Sequence, residues 1–234
     1  MSKRLILFDI DGTLIASNFA GRQVMSHALR QVYNTDGTLD KTSFAGKTDL
    51  GIITAALTSA GLESSVIEAG LPRVYEAMAA DGAQRFSQDN LVPCPGVLPL
   101  LDELLADHHV ILGLQTGNIR ATARQKLRAA GFDPAWFPVG AFGADAAGRD
   151  GLLPAAWRRA NELTGDLFSG HNTMVVGDTP GDITSARANG ARALAVATGV
   201  CAHAALAEHQ PDYLLPDLSD TEQAMKILTG QAAQ

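Results

Sequence analysis

The chain contains short unbroken apolar runs, each followed by polar residues and then by a segment with helical periodicity. The first run, Leu5-Ile6-Leu7-Phe8, stops at Asp9, and runs of this kind are typical of strands buried on both faces of a parallel sheet. Later runs predict strands at 110–114, 136–142, 173–176, 193–197 and 213–215. Apolar residues at helical spacing predict helices at 97–107, 119–130, 152–164, 180–189 and 219–228. This alternation predicts an α/β fold with helices on both faces of a parallel sheet.

The segment from about residue 18 to residue 90 has helical periodicity throughout, and we predict no strand within it. Gly61 and Gly70 are interpreted as helix stops or turns. The segment is therefore predicted to be a helical insertion after the first strand. The predicted domains are a core at 1–16 and 91–234 and a helical domain at 17–90, with hinges near residues 15–17 and 87–95.

Polar side chains recur where the predicted strands end, at Asp9 and Asp11, at Thr116 and Asn118, and at Asp178. In an open parallel sheet, ligands bind outside the carboxyl ends of the strands, where strand order reverses. If the extended geometry continues beyond Phe8, Asp9 and Asp11 face the same side. Like charges in one place require an offsetting cation, and a divalent metal with oxygen ligands is the simplest candidate.

Composition narrows the range of partners. Apolar residues make up 46% of the 234 residues and charged residues 18%, which permits one large domain or one domain with an insertion. The net charge of −7 argues against nucleic acid or an anionic membrane as partner. The two cysteines form no closely spaced pair, the six histidines form no metal-ligand cluster, and no leader or membrane-length apolar run is found. We therefore expect a cytoplasmic protein, either a monomer or a homodimer.

The heptapeptide Phe8–Leu14, with the sequence Phe-Asp-Ile-Asp-Gly-Thr-Leu, resembles the first motif of the haloacid dehalogenase-like (HAD) hydrolases. The resemblance implies a doubly wound, Rossmann-like core with a helical cap placed directly after this motif. It also implies that Asp9 is a nucleophile and that Asp11 is a general acid/base. Gly12 allows a sharp turn, and Thr13 supplies a hydroxyl that we expect to contact substrate.

Thr116-Gly117-Asn118 follows the second strand of the core and opens a helix. Asn118 is predicted to be the helix N-cap, and Gly117 allows close approach of the backbone to a ligand. The first amides of such a helix can bind an anion. By resemblance to the family, Thr116 would hold a phosphoryl group, although a plain cap and turn remains an alternative.

The segment Gly177–Asp182 resembles the last motif of the family, Gly-Asp-x-x-x-Asp. By that resemblance Asp178 is a metal ligand, and Asp182 supports the metal through water or orients a cation. The implied ion is Mg²⁺, held by the carboxylates of Asp9 and Asp178 and by the backbone carbonyl of Asp11. The alternative reading of this segment is an acidic helix N-terminus, stabilised by the helix dipole alone.

The third family motif normally supplies a Lys or Arg, and Arg149 has the matching neighbourhood. A fixed Arg can also bind phosphate through two parallel hydrogen bonds. Arg158 and Arg159 are rivals, but they lie within a predicted helix and are expected to face water.

The predicted cap contains Ala45-Gly46-Lys47-Thr48-Asp49 just before a helix. In similar caps a loop of this kind closes over the substrate, so Lys47 is a candidate to hold a carboxylate or a second anionic group. A solvated helix start is the equal alternative. Asp49 is expected to cap the helix at 50–59, and Arg22 is a further cap cation.

The resemblance implies a magnesium-dependent phosphatase that hydrolyses a small phosphorylated metabolite, phosphoglycolate-like or a sugar phosphate, through an aspartyl phosphate. The dehalogenase members lack an acid at the position of Asp11, which favours a phosphatase. A sugar phosphomutase of the same family is the closest alternative. A non-catalytic phospho-acceptor domain of the response-regulator kind is a further one.

Overall fold

The computed structural model describes residues 3–17 and 20–230. The outermost residues of the predicted core and residues 18–19 of the predicted cap lie outside this range. Within the described residues the strands are β1 (Arg4–Phe8), β2 (Ile15–Ser17), β3 (Leu91–Pro93), β4 (Val110–Gln115), β5 (Val139–Ala141), β6 (Thr173–Gly177), β7 (Arg192–Val196) and β8 (Tyr213–Leu215). The α-helices are α1 (Ala20–Tyr33), α2 (Asp49–Thr58), α3 (Ser64–Arg85), α4 (Val97–Ala106), α5 (Arg120–Ala129), α6 (Leu152–Thr164), α7 (Pro180–Ala188), α8 (His203–Glu208) and α9 (Thr221–Thr229).

Six strands form one parallel sheet in the order β5-β4-β1-β6-β7-β8. The first strand is central because its side chains are apolar on both faces. Leu5 and Leu7 pack into one buried cluster, and Ile6 and Phe8 pack into the other. Strand order reverses around β1, since β4 lies on one side of it and β6 on the other. The predicted α/β fold with a doubly wound parallel sheet is confirmed.

The cap consists of α1, α2 and α3, which follow β2 and precede β3. The segments predicted as plain hinges, 15–17 and 87–95, are partly strand, because β2 and β3 pair antiparallel and join the cap to the core as a two-stranded ribbon. This pairing was missed because three-residue strands carry too little periodicity to be read from sequence.

One helix prediction in the chain is wrong, and one helix was not predicted. Gly70 does not stop a helix but lies inside α3, where Tyr33 packs against it and donates a hydrogen bond to the carbonyl of Ile67 at 2.6 Å. The missing side chain at Gly70 thus serves helix packing rather than a turn. The short helix α8 was not predicted at all.

Candidate active site

The loops after β1, β4 and β6 meet at one edge of the sheet and form the floor of a cavity of about 450 Å³. The cap supplies the opposite wall. Core residues that line the cavity include Asp9, Asp11, Asn118, Arg149 and Asp178, and cap residues include Val24, Phe44, Lys47, Met78 and Phe86. The wall from the cap is therefore mostly apolar, whereas the floor is charged.

The backbone turns immediately after β1, because the carbonyl of Ile10 accepts hydrogen bonds from the amides of Thr13, Leu14 and Ile15. Gly12 occupies the left-handed region with φ +83°, a conformation that costs an L-residue energy. The extended geometry does not continue through this turn. Asp9 and Asp11 nevertheless line the same cavity, although their carboxylates have different partners.

Asp9 is buried and ion-paired with Arg149, whose Nη2 lies 2.5 Å from Asp9 Oδ2. The other Asp9 oxygen accepts a hydrogen bond from the amide of Ile10 at 2.7 Å. Arg149 also pairs with Asp182 through Nη1. Its Nε is buried and has no hydrogen-bond partner among the described residues, which leaves one donor for a further acceptor.

Arg149 reaches the site from a short 3₁₀ turn at Arg149–Gly151. Its backbone carbonyl accepts a hydrogen bond from Ser185 Oγ at 3.0 Å, which ties the turn to α7. Of the two rival arginines, Arg158 is exposed, and Arg159 pairs with Asp145 at 2.5 Å. The structure therefore brings Arg149, and neither rival, to the carboxylates.

Asp9, Asp178 and Asp182 form the acidic cluster of the site, with one oxygen of each within 4.8 Å of the others. Burial, reinforced by the charge of Asp9, raises the pKa of Asp178 to about 7. Thr13 is fully buried and donates a hydrogen bond to Asp178 Oδ1 at 3.2 Å, so its hydroxyl is directed at a carboxylate of this cluster. These three carboxylates are the residues that could hold a divalent cation.

Asp182 is also part of a capping box at the start of α7. Its Oδ2 accepts hydrogen bonds from the amide and the hydroxyl of Thr179, at 3.1 and 2.6 Å. From the sequence, an acidic helix N-terminus and a site residue were alternative interpretations of this segment. In the structure the Asp182 side chain fills both positions.

The side chain of Asp11 lies outside this acidic cluster and pairs with Lys126, a residue that sequence reasoning missed. Lys126 Nζ lies 2.8 and 2.6 Å from the two carboxylate oxygens of Asp11. Burial alone would raise the pKa of Asp11, but the Lys126 ammonium and three hydrogen bonds hold that pKa below its ordinary value. The sequence carries a signal for the burial of Lys126. The lysine comes three residues after Ala123 and directly before Leu127, a spacing that places it on the apolar, buried face of α5.

The loop after β4 is joined to the same network. The prediction that Asn118 is the N-cap of α5 is wrong, because Ile119 occupies that position. Asn118 turns toward the site instead, where Nδ2 donates to Asp11 at 2.7 Å and to Thr116 Oγ1 at 2.9 Å. Thr116 is fully buried beneath this amide.

The cap loop at 45–49 docks directly on the core. Asp49 donates its backbone N–H to the carbonyl of Gly117 at 2.7 Å, and Thr48 Oγ1 donates to the carbonyl of Ala147 at 2.7 Å. A side chain at Gly117 would overlap the carbonyl oxygen of Lys47. The glycine in the predicted phosphate loop is thus required for contact with the cap.

Asp49 does not cap α2 with its side chain, contrary to the prediction; Thr48 does so, accepting a hydrogen bond from the amide of Gly51 at 3.1 Å. The Asp49 carboxylate instead accepts from the amide of Ile119 at the start of α5, at 2.8 Å. A side chain of the helical cap therefore binds the N-terminus of α5, a helix of the core. Burial raises the pKa of Asp49 to about 6.

The two predicted cap cations differ in their surroundings. The Arg22 guanidinium lies 4.1 Å from the centre of the Phe44 ring and donates to the carbonyls of Leu39 and Thr42. Lys47 lines the cavity, is exposed, and makes no side-chain hydrogen bond or ion pair with the described residues.

A family model for haloacid dehalogenase-like hydrolases matches residues 3–190. The chain belongs to the HAD-like hydrolases. The resemblance read from Phe8–Leu14 and the prediction that the chain is an enzyme are therefore confirmed. No curated protein matches the chain.

Solved structures agree with this HAD-like fold. A predicted phosphatase from Clostridium acetobutylicum is 16% identical with a TM-score of 0.68, and covers 97% of this chain and 100% of its own. A predicted phosphoglycolate phosphatase from Haemophilus somnus is 20% identical with a TM-score of 0.66, over 96% and 99%. The β-phosphoglucomutase PgmB from Clostridium difficile is 12% identical with a TM-score of 0.71, over 100% of both chains. At these identities the similarity establishes the fold.

Within the described range of this HAD-like hydrolase, no helix combines the length and apolar character that a bilayer crossing requires.

Proposed function

We propose that this HAD-like hydrolase is a magnesium-dependent phosphatase that hydrolyses a small phosphorylated metabolite through an aspartyl phosphate on Asp9. The observation that carries the proposal is the arrangement of three buried carboxylates and one arginine at the floor of a cavity. Such a site suits phosphoryl transfer, in which catalysis is mainly positioning and charge compensation.

The charge of the site supports a divalent cation. Arg149 pairs with Asp9 and Asp182, and the pKa of Asp178 is raised mainly by burial and further by the negative charge of Asp9. Carboxylate oxygens from the end of β1 and from the start of α7 are ligands that suit Mg²⁺. The ion would be held by Asp9, Asp178 and the backbone carbonyl of Asp11, with Asp182 in support, and would neutralise charge on the phosphoryl oxygens.

The residues have separate parts in the reaction. The Asp9 carboxylate attacks phosphorus, and the bond between phosphorus and the leaving oxygen breaks. Asp11 gives a proton to that oxygen, and later takes one from the water that hydrolyses the aspartyl phosphate. Arg149 offers its unpaired Nε–H to a phosphoryl oxygen, and Thr116 and Gly117 support the loop beside it.

The cap would exclude bulk water and select the leaving group. Its cavity wall is mostly apolar, and Lys47 brings to that wall a cation that has no side-chain partner among the residues that the structure describes. We propose that Lys47 binds an anionic or strongly polar group on the leaving alcohol. A phosphoglycolate-like acid or a sugar phosphate would satisfy that requirement.

The test is release of p-nitrophenol from p-nitrophenyl phosphate. We expect turnover with Mg²⁺, loss of turnover after chelation, and loss in Asp9→Asn. A single slow phosphorylation by acetyl phosphate without turnover would instead indicate a phospho-acceptor domain. A panel of phosphorylated metabolites, ranked by kcat/KM, would then identify the substrate class.

A sugar phosphomutase is the second candidate, since a β-phosphoglucomutase shares the fold over the whole chain. Such an enzyme would return the phosphoryl group from Asp9 to a sugar hydroxyl rather than to water. Incubation with a hexose 1-phosphate separates the two functions, because a phosphatase releases inorganic phosphate and a mutase forms the 6-phosphate.

A further inference from the structure

Lys126 is a buried lysine that the reaction described above does not use. It lies on the buried side of α5 and is 3% exposed. Its ammonium has three hydrogen-bond contacts, two with the oxygens of Asp11 and one with Asn118 Oδ1 at 2.7 Å. A buried charge is costly unless it is paired and hydrogen-bonded. Moving the Asp11 carboxylate away would leave the ammonium without its charged partner, so the pair favours the observed position of Asp11.

Asp11 receives its other hydrogen bonds from neutral donors. Ser17 Oγ donates to Oδ1 at 2.8 Å, and Asn118 Nδ2 donates to Oδ2 at 2.7 Å. Lys126 is the charged partner and contacts both oxygens. Charge-assisted hydrogen bonds are about twice as strong as neutral ones, so Lys126 contributes most to the orientation of this carboxylate.

The ammonium also lies where the cap joins the core. A Cβ at Gly21, in the first turn of α1, would come within 3.2 Å of Nζ. The ring of Phe86, directly after α3, is centred 5.7 Å from Nζ. Residues from the beginning and from the end of the cap, Gly21 and Phe86, therefore lie close to the ammonium that holds Asp11.

We propose that Lys126 is a positioning residue that acts through Asp11, holding the side chain of the acid in the orientation that serves the leaving oxygen while the cap is seated. This assignment rests on the phosphatase function proposed above. The proton given to the leaving oxygen comes from Asp11.

The assignment predicts a dependence on the leaving group. An alkyl phosphate needs a proton from Asp11 as its bond to phosphorus breaks, whereas p-nitrophenolate leaves without one. The parameter kcat/KM reports only the steps up to that departure. In Lys126→Met we expect kcat/KM for an alkyl phosphate to fall about 10- to 100-fold, part of the factor that a general acid supplies, while kcat/KM for p-nitrophenyl phosphate changes little.

Two further variants show whether Lys126 acts through the acid. Asp11→Asn should lose alkyl phosphate activity, and adding Lys126→Met to it should cause no further loss, because residues that act as a unit are not additive. Arg128→Met removes a positive charge from the exposed side of the same helix. It is the matched control and should leave both substrates unaffected.

Rescue provides a readout that a structural role would not give. Lys126→Cys, alkylated with 2-bromoethylamine, carries an ammonium at nearly the original length and should regain the alkyl phosphate activity. The parent protein, which carries Cys94 and Cys201, receives the same treatment as control. If Lys126→Met does not fold, Gly21→Leu replaces it, because a Cβ at Gly21 would already lie 3.2 Å from Nζ and the larger side chain would push the ammonium away from Asp11; it should show the same selective loss.

The outcomes separate the two proposals. Equal losses for both substrates, or added loss in the double variant, would overturn the role of Lys126 while the phosphatase stands. A parent protein that hydrolyses neither ester, or an active Asp9→Asn variant, would overturn both.

Discussion

The Asp49 carboxylate of the cap accepts a hydrogen bond of 2.8 Å from the backbone N–H of Ile119 in the core. Ile119 is the N-cap of α5 and directly follows the loop predicted to bind phosphate. A residue of the cap thus completes the start of a core helix, so that loop and cap are ordered together. An anion at a helix N-terminus is stabilised by the dipole, but here it is also buried.

This burial predicts the pH dependence of an Asp49→Asn variant. The carboxyl pKa of about 6 in the folded protein exceeds the ordinary value of 3.8, so ionisation of Asp49 destabilises the folded state as pH rises through that window. The asparagine does not titrate. The free energy of unfolding of the variant relative to the parent should therefore increase by about 2 kcal/mol between pH 4 and 7.5.

Asp36→Asn is the control with opposite sign. Hydrogen bonding from Ser26 and pairing with Arg30 hold the pKa of Asp36 below its ordinary value, so its carboxylate stabilises the fold above that value. Denaturant unfolding of both variants over this pH range checks the pair. If the difference in free energy of unfolding between Asp49→Asn and the parent did not change with pH, the result would contradict a buried Asp49 carboxylate bound to the amide of Ile119.

Arg149→Met removes the cation that pairs with Asp9 and Asp182. We expect kcat/KM to fall about 100- to 1,000-fold, because a fixed donor to the phosphoryl oxygens is lost. Arg158→Met, an exposed arginine on α6, is the matched control. Steady-state kinetics with p-nitrophenyl phosphate measure both, and full activity in Arg149→Met would remove it from the site.

The acidic cluster predicts that stabilisation by Mg²⁺ depends on pH. A proton on Asp178, whose pKa is raised to about 7, competes with the metal. The rise in melting temperature on adding Mg²⁺ should therefore be larger at pH 8 than at pH 6. The same rise at both pH values, or an unchanged rise in Asp178→Asn, would argue against a metal at these carboxylates.

Gly12 and Gly61 separate backbone strain from damage to the site. Both adopt positive φ, but a Cβ at Gly12 would overlap Asp178, whereas one at Gly61 meets no atom of the described residues within 4 Å. Each alanine variant should lose about 1 kcal/mol of stability through strain. Only Gly12→Ala should also lose activity, by about 100-fold, because the acidic cluster is displaced. Kinetics and thermal melting of the two variants check this.

The sequence located the parts of the site that depend on strand ends. Asp9, Thr116 and Asp178 each follow an apolar run, and parallel strands bring such residues to one edge. Arg149 could also be found, because the acidic loops require a nearby cation. The order of elements predicted which strand ends meet, and the resemblance to the family motifs singled out Arg149 among the nearby cations.

The contacts between elements could not be read in this way. Lys126 is separated from Asp11 by 115 positions, and its role depends on which face of α5 packs against the cap. Asn118 and Asp49 look like ordinary caps in sequence, yet each bonds across an interface between elements. The sequence shows that these residues are polar, but tertiary packing determines which groups they bind.

The account depends most on Asp9 as the nucleophile. The protein is mixed with Mg²⁺ and p-nitrophenyl phosphate, quenched in acid within one turnover, digested and analysed by mass spectrometry. We predict a phosphoryl group on the peptide that contains Asp9, and none in Asp9→Asn. Rapid p-nitrophenol release with Asp9 unmodified at every time point, or full turnover by Asp9→Asn, would contradict it.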